Sequence, residues 1–343
     1  MSDPEAVSRW ARGFVLASAG FLVAWQAIGV LGMRRRVAVT LGLYGFVMHV
    51  IFGKAYSLIP AYFDRTLATS RAMPAHLGLT VTGVVALAAG YWRESLVLQR
   101  AGWTLWLGGV ALFVAAIALT IRDNLTGART GTSDANAHRR GVDRVANAFV
   151  PVALGYVFLG TYVASAPALG LPIVGDGYGP RATHLVALGG AALLVFAVGF
   201  RLLPRFLVST PPRWLAGVTL PAGAAAPALL AATLWEGPWF AAAATLESVA
   251  FAGFALAYVS MFARSDRDRV GLYGVLGGVA AGTAGIAIGL WFAFVGAAPG
   301  LVLLHLRLNL LGFLGLTIIG VAYQFYPPAV GSFPGASDRT AGG

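Results

Sequence analysis

The chain has 343 residues with a mean hydropathy of +0.76; 58% are hydrophobic and only 11% charged, where a soluble domain carries about a quarter charged. That balance excludes a soluble globular enzyme and a disordered chain, and the 45 glycines follow no Gly-X-Y period, which excludes collagen. The net charge of +11 is almost all arginine scattered over the flanks of apolar runs, with Lys54 the single lysine, so it speaks for membrane orientation and against a nucleic-acid partner.

Ten apolar runs, most about 20 residues or longer, follow one another over 12–32, 37–60, 75–92, 102–121, 147–170, 182–204, 213–233, 239–263, 270–297 and 299–327. Runs of this length are helical; outer-membrane strands alternate over about ten residues. The fold expected is therefore all-α: a polytopic bundle in a lipid bilayer, one integral domain over 1–330. The first run is too long for the apolar core of a leader, and no small-residue cleavage site precedes Arg34-Arg35-Arg36, so it is expected to stay as a span. Between spans four and five lies a polar stretch, 122–147, that reads as a mobile loop, with His138 solvated in it. Residues 331–343 are rich in small residues and read as a disordered tail. Ten spans put both termini on one side. The loops and tails of that side carry 15 arginines, the other side six, so the positive-inside rule places both termini in the cytoplasm of a cell membrane.

The chain repeats itself every four spans. Without a gap, Leu43, Gly45, Phe46, Ile51, Gly53, Ala55, Tyr56 and Pro60 of span two match Leu310, Gly312, Phe313, Ile318, Gly320, Ala322, Tyr323 and Pro327 of span ten. Span six follows more weakly: Gly189 falls on Gly312, Phe200 on Tyr323 and Pro204 on Pro327. The glycines are expected to give a smooth face that a helix or a flat ring can approach.

Ionisable groups inside spans are costly and are candidates for function. They are His49, Lys54, His184, Arg201, Glu247, His305 and Arg307, with Asn309 beside the last. His184 lies about two residues into span six and His305 about six into span ten, a difference in depth of about 6 Å. Two histidines at matched depth on different helices can clamp a haem iron axially. Glu247 and Arg307 also lie at similar depth and are expected to pair, with a haem propionate as the other partner for Arg307. His49 reads as hydrogen-bonded packing or as ligand to a second group, His76 as an interfacial residue, and Lys54 and Arg201 as side chains that snorkel. No cysteine is present, so disulfides, iron–sulfur clusters, thiol catalysis and c-type haem are excluded.

The segment His305-Leu306-Arg307-Leu308-Asn309-Leu310-Leu311-Gly312-Phe313, with Leu316-Thr317-Ile318 and Tyr323, resembles the tenth helix of the haem-copper oxidase catalytic subunit superfamily. It looks closest to the small members of the nitric-oxide response. The segment Thr183-His184-Leu185 through Gly199-Phe200-Arg201-Leu202-Leu203-Pro204 is similar in style to ligand-bearing helices of that superfamily. The resemblance implies a pseudo-threefold arrangement of four-helix groups, with His305 as iron ligand of a b-type haem and His184 on its distal side. Arg307 and Asn309 fall next to the haem. Copper beside the iron is not expected, because span seven lacks the two histidines that would bind it.

The expected function is a membrane b-type haem protein in electron transfer or gas sensing, served by a redox partner protein or other membrane subunits. A haemless transporter or assembly subunit, with a polar cavity at His184, Glu247 and Arg307, is the alternative. A terminal oxidase or nitric oxide reductase subunit is the third reading, and whether the chain is itself an oxidoreductase stays open.

Overall fold

The structure, a computed structural model, describes residues 4–325 except Met33. Pro327 and the tail 331–343 lie outside the described residues. The fold is an all-α polytopic membrane helix bundle, and ten helices among the described residues are long and apolar enough to cross a bilayer. They are α1 (Pro4–Val30), α2 (Arg35–Tyr62), α3 (Ala72–Trp92), α4 (Leu96–Ile121), α5 (Arg140–Leu169), α6 (Gly179–Phe206), α7 (Arg213–Thr233), α8 (Gly237–Ala263), α9 (Val270–Phe294) and α10 (Pro299–Phe325). Several run past their apolar cores at one or both ends, α5 by seven residues, because polar residues at a membrane boundary keep the helical backbone bonds going.

The chain packs as two units. Among the described residues the first runs over 4–140 and 147–191, the second over 141–146 and 192–325. In the first, α3 and α4 cross at two glycines: a Cβ on Gly83 would stand 2.9 Å from the Trp106 nitrogen, and one on Gly102 2.7 Å from that of Leu87. Helix α1 lies along α2, where a Cβ on Gly53 would come within 2.9 Å of the Ala11 carbonyl.

In the second unit the closest pair is α9 and α10. Glycines 271, 274, 278, 282, 285 and 289 form one ridge of α9, spaced three and four apart, and onto it fall Gly320, Thr317, Phe313, Asn309 and His305 of α10. Small residues let the two backbones meet, and dispersion does the rest, since lipid gives no hydrophobic drive to helix pairing. Here the smooth glycine faces accept a neighbouring helix: Gly45 meets Phe21 of α1, Gly189 meets Tyr156 of α5, and Gly312 meets Ala281 of α9. In each case the partner is the helix before it in sequence.

The same three helices share a rarer feature. Helix α2 is π-helical over Thr40–Val47, α6 over Leu185–Ala192, and α10 over Leu308–Leu316. Aligned on Gly45, Gly189 and Gly312, the three stretches start within one residue of one another. Runs this long are uncommon, because most π-helix occurs as a single bulge. Two independent markers, a close-packed glycine and a π stretch, thus recur with the four-helix period.

The stretch 122–147 differs from the mobile loop its composition suggests. Short 3-10 turns occupy Arg122–Asn124 and Asp134–Arg139. Asn124 Nδ2 donates to the Phe63 and Arg129 carbonyls at 2.8 and 2.7 Å, and Asn147 Nδ2 to those of Tyr62 and Gly127 at 2.7 and 3.2 Å. Two buried amides therefore tie the stretch to the end of α2. Gly131, at φ +57, sits directly against the Ala61 carbonyl, where no side chain fits.

Candidate functional site

His305 sits on the seam of α9 and α10. Its phase follows from helix geometry: residues 305, 309 and 313 lie on one face, and that face meets the glycine ridge. The ring is half-buried, tilted against Phe292 at 5.7 Å, and a Cβ on Gly289 would press on its Cε1 at 3.0 Å. Nδ1 bonds to the Gly285 carbonyl at 2.7 Å. A carbonyl only accepts, so Nδ1 carries the proton and Nε2 the lone pair. Asn309 Nδ2 donates to the His305 carbonyl at 2.8 Å and stands 3.4 Å from Nδ1. Asn309 therefore positions the histidine; its own Oδ1 is buried without a hydrogen-bond partner among the described residues.

His184 belongs to the first unit and is half-buried at the start of α6. Its Nδ1 bonds to the carbonyl of Pro180, one turn back, at 2.7 Å. The same logic leaves its lone pair on Nε2. His305 and His184 thus share an anchored tautomer, which is how imidazoles that bind metal are usually oriented.

His49 and His76 are fully buried in the first unit. The interfacial role expected for His76 is corrected here: it opens α3, yet α1, α2 and α4 enclose it in aromatic rings. Its ring stands 4.9 Å from Phe14, 4.6 Å from Phe52 and 5.4 Å from Phe113. The His49 ring stands 6.1 Å from Phe14, 6.2 Å from Phe52, 5.2 Å from Phe21 and 6.0 Å from Trp106. His49 Nδ1 bonds to the Tyr44 carbonyl at 2.9 Å, five residues back, inside the π stretch. His76 Nδ1 bonds to the Tyr56 hydroxyl at 3.2 Å. Neither Nε2 has a hydrogen-bond partner among the described residues.

The expected pairing of Glu247 with Arg307 is not made. Glu247 is 2% exposed on the inner face of α8, and its Oε2 has no hydrogen-bond partner among the described residues, whereas the Arg307 side chain is exposed. The cause is helical phase. Two residues beyond His305 means about 200° around the helix, so a His305 that faces α9 turns Arg307 away. Matched depth along a span says nothing about direction around it. Arg201 does not snorkel either. It is 2% exposed and lies 3.6 Å from Asp143, whose other oxygen takes Arg205 at 2.8 Å. Lys54 is half-buried and His138 exposed.

Sequence reasoning passed over Asp143, because it stands just before the apolar run of span five and reads as loop. The ridge of α9 was legible as glycines three and four apart but was not singled out. Known protein families and characterised proteins were both compared with this chain, and neither comparison finds a match.

Proposed function

We propose that the chain is a membrane b-type haem protein of the haem-copper oxidase catalytic-subunit type, with His305 as an iron ligand and electron transfer as its role. The observation that carries this reading is the repeat. A glycine contact and a π stretch recur in the second, sixth and tenth spans, and His305 precedes the tenth-span stretch by three residues. Such π segments are frequent at functional sites.

His305 would hold the haem iron, and its surroundings suit that role. The Gly285 carbonyl holds Nδ1 of His305, which orients the ring and raises the basicity of Nε2, the atom that would hold iron on this reading. Asn309 fixes the turn that carries it. His184 has the same anchored tautomer, and the sequence resemblance alone names it as a second residue that would hold the haem. Arg307 is exposed, is not paired with Glu247, and points away from the ridge that His305 faces. A bound b-type haem supplies one-electron chemistry at its iron. On this reading the protein lies in the cell membrane with both termini cytoplasmic and meets a redox partner protein or further membrane subunits.

An absorbance spectrum of the detergent-purified protein from haem-replete cells tests the proposal. A Soret band is expected in the wild type, lost or shifted in His305→Ala and in His184→Ala. No band in the wild type, or an unmoved band in His305→Ala, would end it.

A further inference from the structure

We propose that Glu247 is a proton-binding site inside the second unit: its carboxyl takes up one proton from water and holds it as the neutral acid, a station for proton movement through the bundle. The residue stands on α8 about 15 Å from the Gly237 end and about 24 Å from the Ala263 end. It is 2% exposed, and its Oε2 has no hydrogen-bond partner among the described residues. The buried residues one turn away on either side, Ala243, Ala244, Ala250 and Phe251, are apolar.

Helices α6, α7, α9 and α10 pack against α8, and none of them brings a countercharge to it. Helix α7 meets α8 where Gly223 faces Ala250 and Thr219 faces Gly253, and its single ionisable residue is Arg213, at its first position. The register of that contact puts Arg213 about 18 Å from Glu247 along the helix axis. Helix α9 is joined through the Leu272 carbonyl, which takes the Tyr258 hydroxyl at 2.6 Å; it has no His, Asp, Glu, Lys or Arg, and its Tyr273 donates to Asp268 at 2.9 Å. Helix α6 touches α8 through Phe196, and its Arg201 and Arg205 are engaged by Asp143. Helix α10 touches it through Phe313; His305 is bonded to the Gly285 carbonyl, and Arg307 is exposed on the far face. On α8 itself the other titratable side chain is Tyr258, three turns further on.

These surroundings select the occupant. A bare carboxylate would keep its full charge in an apolar wall. A metal cation needs several ligands, and no cluster of three or more His, Cys, Asp or Glu exists among the described residues. A proton is the cation that one carboxyl binds alone. Packing gives no reason for the residue, since alanine fills the neighbouring turns of the same face. Three further buried oxygens of this unit, Thr219 Oγ1, Asn309 Oδ1 and Thr317 Oγ1, also lack a hydrogen-bond partner among the described residues. Buried oxygens of that kind are what ordered water serves, and water is the medium that brings a proton into a span. Uptake is a plain association of carboxylate and proton, with no change of oxidation state. The inference does not depend on the haem reading.

Infrared difference spectra of the full-length detergent-purified protein at neutral pH test it. Wild type is expected to show a carboxylic-acid C=O band that Glu247→Gln removes, Glu247→Asp retains and heavy water shifts downward in the folded protein. Raising the pH should lower the thermal midpoint of the wild type more than that of Glu247→Gln, because only the wild type has that proton to lose. Dicyclohexylcarbodiimide, an apolar reagent for protonated carboxyls, should add to the wild type on the peptide that contains Glu247, a measurement that needs no variant. Three results overturn the proposal: no acid band lost in Glu247→Gln, an acid band that heavy water leaves unmoved, or a wild type unlabelled at Glu247. Loss of a carboxylate band in Glu247→Gln overturns it as well, because the residue would then be ionised.

Discussion

Asp143 carries more of the second unit's stability than its place in the sequence suggests. Its side chain is 1% exposed, Arg201 beside it 3%, and Arg205 completes the group at 27%. Two guanidinium groups on one carboxylate make the acid the indispensable member. Asp143→Asn removes the carboxylate charge beside the buried Arg201, a change that costs about 3–5 kcal/mol for a buried pair. Arg205→Met should cost clearly less, because water already screens that guanidinium. Unfolding of the purified variants in denaturant checks the order; equal losses would mean that Arg205, not Arg201, dominates the pair. The histidines argue at the same scale. His49, His184 and His305 each place Nδ1 on a backbone carbonyl, and that choice of carbonyl, more than the presence of the imidazole, decides which nitrogen a ligand meets.

Helix pairs here depend on what is absent from their surfaces. A Cβ on Gly320 would collide with the Gly271 carbonyl and stand 2.8 Å from the Val275 nitrogen, both of them backbone and unable to yield. Gly320→Ala must therefore move α10 off α9, at about 1–3 kcal/mol for overpacking. Gly20→Ala in α1 is the control, because nothing lies within 4 Å of its added carbon and alanine favours helix. Thermal unfolding in detergent should separate the two variants, and a Gly320→Ala protein as stable as Gly20→Ala would disprove the contact. The stretch 122–147 makes the complementary case, an irregular segment held by side chains. Asn124→Leu strips two carbonyls of their buried donor, about 1–3 kcal/mol of penalty. Trypsin should then cut at the exposed Arg129 faster than in the wild type, whereas a cleavage rate that does not change would restore the mobile loop.

At the scale of the whole molecule, topology is the property most open to a direct check. The proposed orientation, with Gly343 and the amino terminus together in the cytoplasm, rests on the even number of spans and the arginine imbalance. A reporter that folds only outside the cytoplasm should stay silent when fused at Gly343 and become active when inserted at Gly175, in the turn between α5 and α6. The reverse pattern inverts the molecule. The two units also divide the chemistry: His49, His76 and His184 stand in the first, and Glu247, the Asp143 group and His305 in the second.

The sequence by itself determined the class of the protein, the ten spans and the four-span period, because hydropathy and glycine spacing are local properties that each segment carries whole. It also pointed to the residues worth following, since an ionisable group in an apolar run is conspicuous wherever its partner lies. Only the tertiary structure decided the partners. His76 reads as a boundary residue by position, but three neighbouring helices bury it. Arg201 reads as a snorkelling side chain until Asp143, 58 residues earlier, is brought beneath it. Glu247 and Arg307 match in depth and miss in angle, because the face of α10 that turns inward is chosen by the glycines of α9. Which nitrogen of each histidine is anchored likewise depends on a carbonyl or hydroxyl delivered by packing. Direction around a helix, and the identity of what approaches it, are set by contacts distant in the chain.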